Sequence, residues 1–150
     1  EGDVDSKGHE GWIELESAQF GAARKVTPPG GAAGRESSTP AVSEITINKV
    51  HDGASTDLFK ESLSGTGKKV IIDFVKTGSD GSEIYLEIEL EACVISSYSV
   101  SGSGSDPQSR PQETLTLNYT KITYTYIPSK SDNSSSSPKR TTWDLGTQSH

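Results

Sequence analysis

The chain has 150 residues and a mass of 15.9 kDa, a length that predicts one domain spanning residues 1–150. Hydrophobic residues make up only 30% of it and 15 residues are glycine, which favours a β-rich domain with many turns. The net charge of −7 and the scattered Lys and Arg argue against nucleic acid and anionic membranes as partners. No apolar run approaches the roughly 18 residues of a membrane span, and no signal-peptide segment is visible.

The first quarter of the chain is predicted to hold a strand followed by a long loop. Trp12 to Phe20 alternates between apolar and acidic residues, as a half-buried strand does. Its inward face is predicted to carry Ile13, Leu15 and Ser17. Residues 21–40 are rich in Gly, Ala and Pro and have no hydrophobic period, so they are predicted to form a loop. Loops of this length are usually functional or disordered.

A second strand, Glu44 to Val50, leads into one short helix at about Ser55–Ser64. Ser55 is predicted to be the N-cap, Asp57 places negative charge in the first turn, and Gly65 ends the helix. The helix is too short to persist alone in water, so it must pack on a sheet. The apolar stripe available for that packing consists of Leu58, Phe59 and Leu63.

The next two strands, Lys69 to Thr77 and Ser82 to Ile95, are predicted to form a hairpin. Their apolar residues must share one face, because a one-residue slip would set them opposite glutamates. These are Val70, Ile72, Phe74, Ile84, Leu86, Ile88 and Leu90, and the other face carries Glu83, Glu87, Glu89 and Glu91. This register requires a loop of odd length, which Ser79–Gly81 provides if Gly81 is left-handed. It also predicts a cross-strand pair between Lys69 and Glu91.

The last third is predicted to be a long strand, a flexible loop and a short strand. Between Gln112 and Tyr126 the apolar phase changes from odd to even residue numbers near Thr120-Lys121, which predicts a bulge or a bend between two sheets. The inward residues after the change are expected to be Ile122, Tyr124 and Tyr126. Residues 128–140 include a serine-rich tract and are predicted to be a flexible loop, followed by a strand over 141–145. The predicted fold is mainly β: an antiparallel β-barrel or two-sheet sandwich with one short flanking helix.

Candidate chemistry in the sequence is sparse. Three histidines and the single Cys93, which is predicted to be a buried hydrophobe, are a poor inventory for zinc. Residues 62–69 resemble a phosphate loop, but the first glycine and the Ser or Thr after Lys are absent, and the segment runs from helix to strand. The hairpin glutamates could supply a glycosidase carboxylate pair, but alternate glutamates more often form the solvated face of a strand. No catalytic, metal or cofactor site is therefore predicted.

Four patches spread along the chain carry a family resemblance. They are His9-Glu10-Gly11-Trp12-Ile13-Glu14, Asp52-Gly53-Ala54-Ser55-Thr56-Asp57-Leu58-Phe59, Leu117-Asn118-Tyr119-Thr120-Lys121-Ile122 and Trp143-Asp144-Leu145. In this order and at these separations they resemble the hemolysin-coregulated proteins, the tube subunits of bacterial type VI secretion systems. The resemblance covers roughly residues 3 to 145. It assigns structural roles to His9, Gly11, Trp12, Asp52, Ser55, Leu58, Asn118, Tyr119, Trp143 and Asp144, with His9 expected to be a hydrogen-bonding residue at the start of a strand.

The resemblance implies a structural subunit that is not an enzyme and binds no cofactor. Such proteins form hexameric rings that stack into a tube, and a sheath propels the tube with its spike protein and small effectors. The chain would then be assembled in the bacterial cytoplasm and secreted to the extracellular space. Two alternatives stay open: a self-assembling extracellular or phage-type tube without a secretion apparatus, and a monomeric β-sandwich binding module or hydrolase.

Two further expectations concern particular segments. The loop over 26–40 corresponds to the family's ring-stacking loop, and its candidate contact residues are Val26, Pro28, Pro29, Gly30, Gly31 and Arg35. Family members also begin with a strand that would lie upstream of Glu1 and is absent from this sequence. We expect either that the natural polypeptide continues upstream of Glu1 or that a strand of another subunit fills the place by β-augmentation.

Overall fold

A long central strand organises the molecule. The computed structural model describes residues 1–25, 39–78, 81–129 and 137–150. Its elements are β1 (Ser17–Gln19), β2 (Ala22–Ala23), β3 (Ala41–Val42), β4 (Ile45–Val50), α1 (Ser55–Ser64), β5 (Lys68–Gly78), β6 (Gly81–Ser101), β7 (Gln112–Asn118), β8 (Lys121–Tyr126) and β9 (Lys139–Asp144). The predicted class, mainly β with one short helix among the described residues, is confirmed.

The 21-residue strand β6 belongs to both halves of a curled antiparallel sheet. Its first half pairs with β5 and β8, and β9 continues beyond β8. Its second half pairs with β7, which is followed by β4 and β1. Ala92, with a left-handed φ of 48°, lies where β6 passes from one half to the other. The core faces inward from both halves and includes Ile45, Ile47, Ile72, Ile88, Leu90, Cys93, Leu115, Leu117, Tyr119 and Ile122.

The amino-terminal strand is much shorter than predicted. Of Trp12 to Phe20, only β1 joins the sheet, and the alternation changes phase beside it: Ser17 is exposed, whereas Ala18 and Phe20 pack against the core. The preceding segment instead satisfies its backbone internally, with Gly2 N donating to Gly11 O at 2.8 Å. Strands β2 and β3 pair with each other, so residues 22–23 of the predicted loop are a strand.

The helix has the predicted bounds but a different amino-terminal cap. Ala54 is the N-cap, and its N–H donates to Oδ1 of Asp52, whereas the hydroxyl of Ser55 caps no helical N–H. At the other end Gly65 donates its N–H to the carbonyl of Glu61, as a helix stop does. Of the predicted stripe only Leu58 packs against the core, since Phe59 and Leu63 are 51% and 72% exposed.

The hairpin of β5 and β6 has the predicted central register. Val70 lies opposite Leu90, and Ile72 lies opposite Ile88. Gly81 has the predicted positive φ, at 113°, but Gly78 pairs with it, so the loop has two residues rather than three. A register shift between Phe74 and Val75 compensates for the shorter loop, so that the apolar residues of the two strands still share the predicted face.

The predicted pair between Lys69 and Glu91 is wrong. Lys69 lies at a register shift between Lys68 and Val70, and its Nζ lies 3.2 Å from Oε1 of Glu89. Glu91 lies opposite Lys121 of β8 instead.

The predicted break in the long strand separates β7 from β8 at Tyr119–Thr120 and sends the two strands to different halves of the sheet. Ile122 is buried as predicted, but Tyr124 and Tyr126 are 43% and 47% exposed because the core ends before them. Strand β9 begins at Lys139, so the end of the predicted loop over 128–140 is a strand. The serine-rich tract over 130–136 lies outside the described residues.

Candidate functional site

A buried charge cluster joins the helix to the sheet. Lys49 points inward from β4 and its side chain is fully buried. Its Nζ lies 2.7 Å from Oε2 of Glu113 on β7, and 2.8 Å from both Oδ1 of Asp52 and the carbonyl oxygen of Val50. A buried ammonium group is costly unless it is paired and hydrogen-bonded, and here its three donors have carboxylate and carbonyl acceptors.

Glu113 is the acidic centre of this cluster and is also fully buried. Its Oε2 accepts a hydrogen bond from Oγ of Ser55 at 2.8 Å, and its Oε1 accepts one from the hydroxyl of Tyr98 on β6. Burial by itself would raise the pKa of Glu113, but the hydrogen bonds from Lys49, Tyr98 and Ser55 outweigh it and lower the pKa. Burial and the bond to Glu113 raise the pKa of Tyr98 to about 12.

The hydrogen bonds of this cluster therefore link β4, β6, β7 and the start of α1 inside the protein. Asp52 and Ser55 were expected to be structural, but sequence reasoning missed Lys49, Glu113 and Tyr98. A signal was present, because Lys49 follows Ile45 and Ile47 in the inward phase of β4, and Glu113 precedes Leu115 and Leu117 in the inward phase of β7. A charged residue in an inward phase predicts a buried partner of opposite charge.

The other motif residues lie at two further places. Nε2 of His9 hydrogen-bonds Oδ2 of Asp73 on β5 at 2.8 Å, and the His9 ring contacts Trp12 edge-on with centroids 4.6 Å apart. Gly11, between them, has a φ of 77°, a conformation that favours glycine. Leu58 packs on the core from the helix.

The two carboxy-terminal patches meet each other. Ile122 pairs with Trp143, which packs on the core, and the hydroxyl of Tyr119 donates to the carbonyl of Ser43 at 2.7 Å. Nδ2 of the neighbouring Asn118 lies 3.5 Å from Oε1 of Glu44. Oδ1 of Asp144 accepts the backbone N–H groups of Thr147 and Gly146, and these bonds hold the pKa of Asp144 below its usual range. The motif patches therefore support separate parts of the fold, and His9, Trp12, Leu58 and Leu117 also line one cavity.

Two complete cross-strand rows on the outer surface of the sheet contain no charged side chain. They cross β1, β4, β7 and the second half of β6. We call this surface the hydroxyl face. Its rows are Gln19, Thr46, Thr116 and Ser97, and Ser17, Asn48, Thr114 and Ser99. All eight side chains are exposed or half-buried. The nearest acids, Glu16 and Glu44, lie beside the rows.

Hydrogen bonds link the side chains of the hydroxyl face across the strands. Nδ2 of Asn48 donates to Oγ of Ser17 at 2.9 Å, and Oγ1 of Thr114 donates to Oδ1 of Asn48 at 2.8 Å. Oγ of Ser97 donates to Oγ1 of Thr116 at 2.7 Å. The surface is therefore polar, and its short side chains are in part bonded to one another.

The outer surface of β5, the first half of β6, β8 and β9 is densely charged, and we call it the charged face. It includes Lys69, Asp73, Glu87, Glu89, Glu91, Lys121 and Arg140. Lys69 pairs with Glu89 at 3.2 Å, and Nζ of Lys121 lies 3.8 Å from Oε2 of Glu91. Because the chain as a whole is 23% charged, the difference between the two faces marks the hydroxyl face as unusual.

A sequence model of one protein family, described as "Type VI secretion system effector, Hcp", matches residues 1–126. The chain belongs to the Hcp family. A comparison with curated protein sequences returns no match.

Solved structures of type VI secretion proteins share the fold of this Hcp chain. One described as a type six secretion system protein is 23% identical, with a TM-score of 0.88, over 99% of this chain and 91% of that one. A type VI secretion system effector from Yersinia pestis is 21% identical, with a TM-score of 0.73, over 96% and 92% of the two chains. Hcp1 from Salmonella typhimurium is 20% identical, with a TM-score of 0.74, over 98% and 89%.

Some predicted features of this Hcp chain fall outside the described ranges. All six ring-stacking candidates, Val26, Pro28, Pro29, Gly30, Gly31 and Arg35, are among residues 26–38. Within the described part, no group of three or more His, Cys, Asp or Glu side chains could hold a metal ion. The helix in the described part of the chain is not long and apolar enough to cross a membrane.

Proposed function

We propose that this chain is the tube subunit of a type VI secretion apparatus, and that it closes into hexameric rings that stack into a hollow tube. The observation that carries the proposal is the Hcp family match over residues 1–126. The same match favours this function over a phage-type tube without a secretion apparatus. The tube would be assembled in the bacterial cytoplasm and released with a spike protein and small effectors, by a sheath acting on it from outside.

The proposed function needs no catalytic group. The ionisable side chains around Lys49 and Glu113 are buried and occupied by their own hydrogen bonds. Such a cluster can stabilise a subunit against the mechanical load of ejection, but it offers no group to a substrate.

The hydroxyl face is the surface that we place on the lumen of the tube. A cargo that must slide through a narrow channel is retained by charges of opposite sign and repelled by charges of the same sign, and an uncharged polar wall avoids both effects. Side chains that already bond one another, such as Asn48 with Ser17 and Thr114, offer little specific affinity to a passing protein. The charged face would then point to the outside of the tube or to solvent.

Sedimentation and electron microscopy of the purified protein test assembly. Rings and stacked rings are the expected result, and a protein that stays monomeric at high concentration, without rings in micrographs, would contradict the proposal. A thiol-accessibility experiment tests the orientation separately. In a Cys93→Ser background, Ser99→Cys places a thiol on the hydroxyl face and Glu91→Cys places one on the charged face.

In stacked rings, a maleimide on a bulky polymer should label Glu91→Cys and spare Ser99→Cys, whereas a small maleimide should label both. Both variants should react with the bulky reagent after the rings are dissociated. Bulky labelling of Ser99→Cys in intact tubes would overturn the assignment of the lumen while leaving ring assembly standing.

A further inference from the structure

One row of polar side chains crosses the charged face from the amino-terminal segment to the last strand. Asp73 on β5 lies opposite Glu87 on β6, Glu87 lies opposite Thr125 on β8, and Thr125 lies opposite Arg140 on β9. His9 closes the row at one end through its 2.8 Å hydrogen bond to Oδ2 of Asp73. At the other end Nε of Arg140 donates to Oγ1 of Thr125 at 3.3 Å.

Asp73 and Glu87 lie directly opposite each other on β5 and β6, with Asp73 largely buried and Glu87 half-buried. The Asp73 side chain is only 5% exposed, and its Oδ1 accepts no hydrogen bond from any donor in the described residues. Glu87 lies within hydrogen-bonding reach of Asp73, but an ionised carboxylate has no proton to donate. Two ionised carboxylates at such a site repel each other, whereas one proton between them replaces the repulsion with a short, strong hydrogen bond.

We propose that Asp73 and Glu87 share one proton, and that this proton governs how firmly His9 holds residues 1–16 on β5. With Glu87 protonated, its O–H satisfies Oδ1 of Asp73 and leaves Oδ2 to His9. With Glu87 ionised, repulsion drives the two carboxylates apart and moves Asp73 away from its contact with His9. The pair is therefore a pH-sensitive latch, and it does not depend on ring assembly.

The surroundings of Glu87 support this assignment. The pKa of Glu87 is raised, first by burial and then by the charge of Asp73 and the hydrogen bond with it. The charge of Glu89 on the same strand raises this pKa further. Arg140 opposes the rise from β9 without cancelling it, and the intervening Thr125 on β8 is uncharged. From the amino-terminal segment, His9 reaches this pair through its hydrogen bond to Asp73.

The latch lies at the wall of a large cavity. Residues 1–18 form one side of a space of about 870 Å³, and β5 and the helix contribute to the other sides through Ile72, Phe74 and Leu58. Because Glu87 holds its proton more tightly in the folded protein, the stability that the shared proton provides is complete at low pH. It is lost as the pH rises through the raised pKa of Glu87. Release of residues 1–16 would then expose the apolar side of this space.

The test compares the full-length protein with Glu87→Gln and with the control Glu89→Gln. Glutamine at position 87 keeps an N–H donor for Asp73 but cannot ionise, and the control removes the same charge two residues away on the same face. Hydrogen-exchange mass spectrometry follows residues 1–16 as a function of pH, after correction for intrinsic exchange. The ionisation of Glu87 is followed by the infrared band of a protonated carboxyl group, taken from the difference spectrum of the wild type and Glu87→Gln. This band can be measured whether the protein is monomeric or assembled.

The wild type should lose protection in residues 1–16 as the pH rises through the titration of the infrared band. Glu89→Gln should also lose it, at a lower pH, because Glu89 adds to the raised pKa of Glu87. The loss is expected to be up to about tenfold for each unit by which the pKa of Glu87 is raised. Protection in Glu87→Gln should stay constant over the same range. A Glu87 carboxyl that titrates in its ordinary range, or a Glu87→Gln variant with the pH dependence of the wild type, would overturn the proposal.

Discussion

Replacing Lys49 with methionine should be one of the most damaging single changes in this chain. Methionine has nearly the length of lysine and fills the same space, so the change removes the charge and its donors more than it removes packing. It leaves Glu113, which is fully buried, without its cation. Breaking a buried pair in this way costs about 3–5 kcal/mol, a large part of the roughly 5–15 kcal/mol that stabilises an ordinary domain.

Urea unfolding followed by circular dichroism measures this cost at low protein concentration. In thermal scans the same change should lower Tm by about 6–20 °C for a chain of this size. Lys60→Met is the matched control, because Lys60 is exposed on the helix, and its effect should stay within about 0.5 kcal/mol.

The double variant Lys49→Met/Glu113→Leu separates lost charge pairing from lost structure. It removes both fully buried charges. It leaves Asp52 without its lysine, and it leaves the hydroxyls of Ser55 and Tyr98 without their acceptor, each unsatisfied group costing about 1–3 kcal/mol. It should therefore be more stable than Lys49→Met alone. A single variant that costs less than about 1 kcal/mol, or a double variant whose cost is the sum of the two single ones, would refute the view that Lys49 and Glu113 compensate each other.

Four other outcomes are expected. Because the folded-state pKa of Glu113 is lowered, the stability that depends on its charge should be present near neutral pH and lost as the pH falls through that lowered pKa. The acid unfolding of Glu113→Gln should therefore depend less steeply on pH than that of the wild type. An unchanged pH dependence would contradict this role of Glu113. Burial raises the pKa of Cys93 to about 11, so its thiol should resist alkylation in the native protein and react after unfolding; rapid native labelling would show that the core opens there. Leu58→Ala should cost about 2–5 kcal/mol and Leu63→Ala less than about 1 kcal/mol, since only Leu58 packs on the core; equal costs by urea unfolding would contradict this packing. Deletion of residues 30–34 should weaken ring stacking and leave single rings intact in micrographs, and loss of the rings themselves would count against a stacking role for this loop.

Local pattern was sufficient for much of the fold. The period-two alternation of β5 and β6 predicts that Ile72 lies opposite Ile88, because any other register would bury glutamates. The phase change near Thr120 predicts the bend that sends β7 and β8 to different halves of the sheet. The bounds of the helix follow from its apolar spacing and from Gly65. These features depend on neighbours in sequence or on a single hairpin, where short-range rules apply.

Other features needed the order of the strands. Lys69 lies at a register shift that the alternation does not predict, and its Nζ pairs with Glu89 rather than with Glu91. Tyr124 and Tyr126 alternate as core residues do, yet they stay half exposed at the end of β8, where the ring of Tyr124 lies 6.0 Å from that of Phe20. Ser55 has the residue type of an N-cap, but it lies inside the helix, where its hydroxyl donates to Glu113 and accepts the N–H of Asp52.

The two features on which the functional argument depends belong to this second group. Lys49 and Glu113 stand 64 positions apart, and they meet because β4 and β7 are neighbours and both residues point inward. The hydroxyl face likewise collects Ser, Thr, Asn and Gln residues from four strands, each of which contributes only two residues to it. The alternation along a strand predicts which side of the sheet each residue faces. Which residues share that side across the sheet is set by strand order, and strand order depends on burying the apolar surface of the whole chain at once.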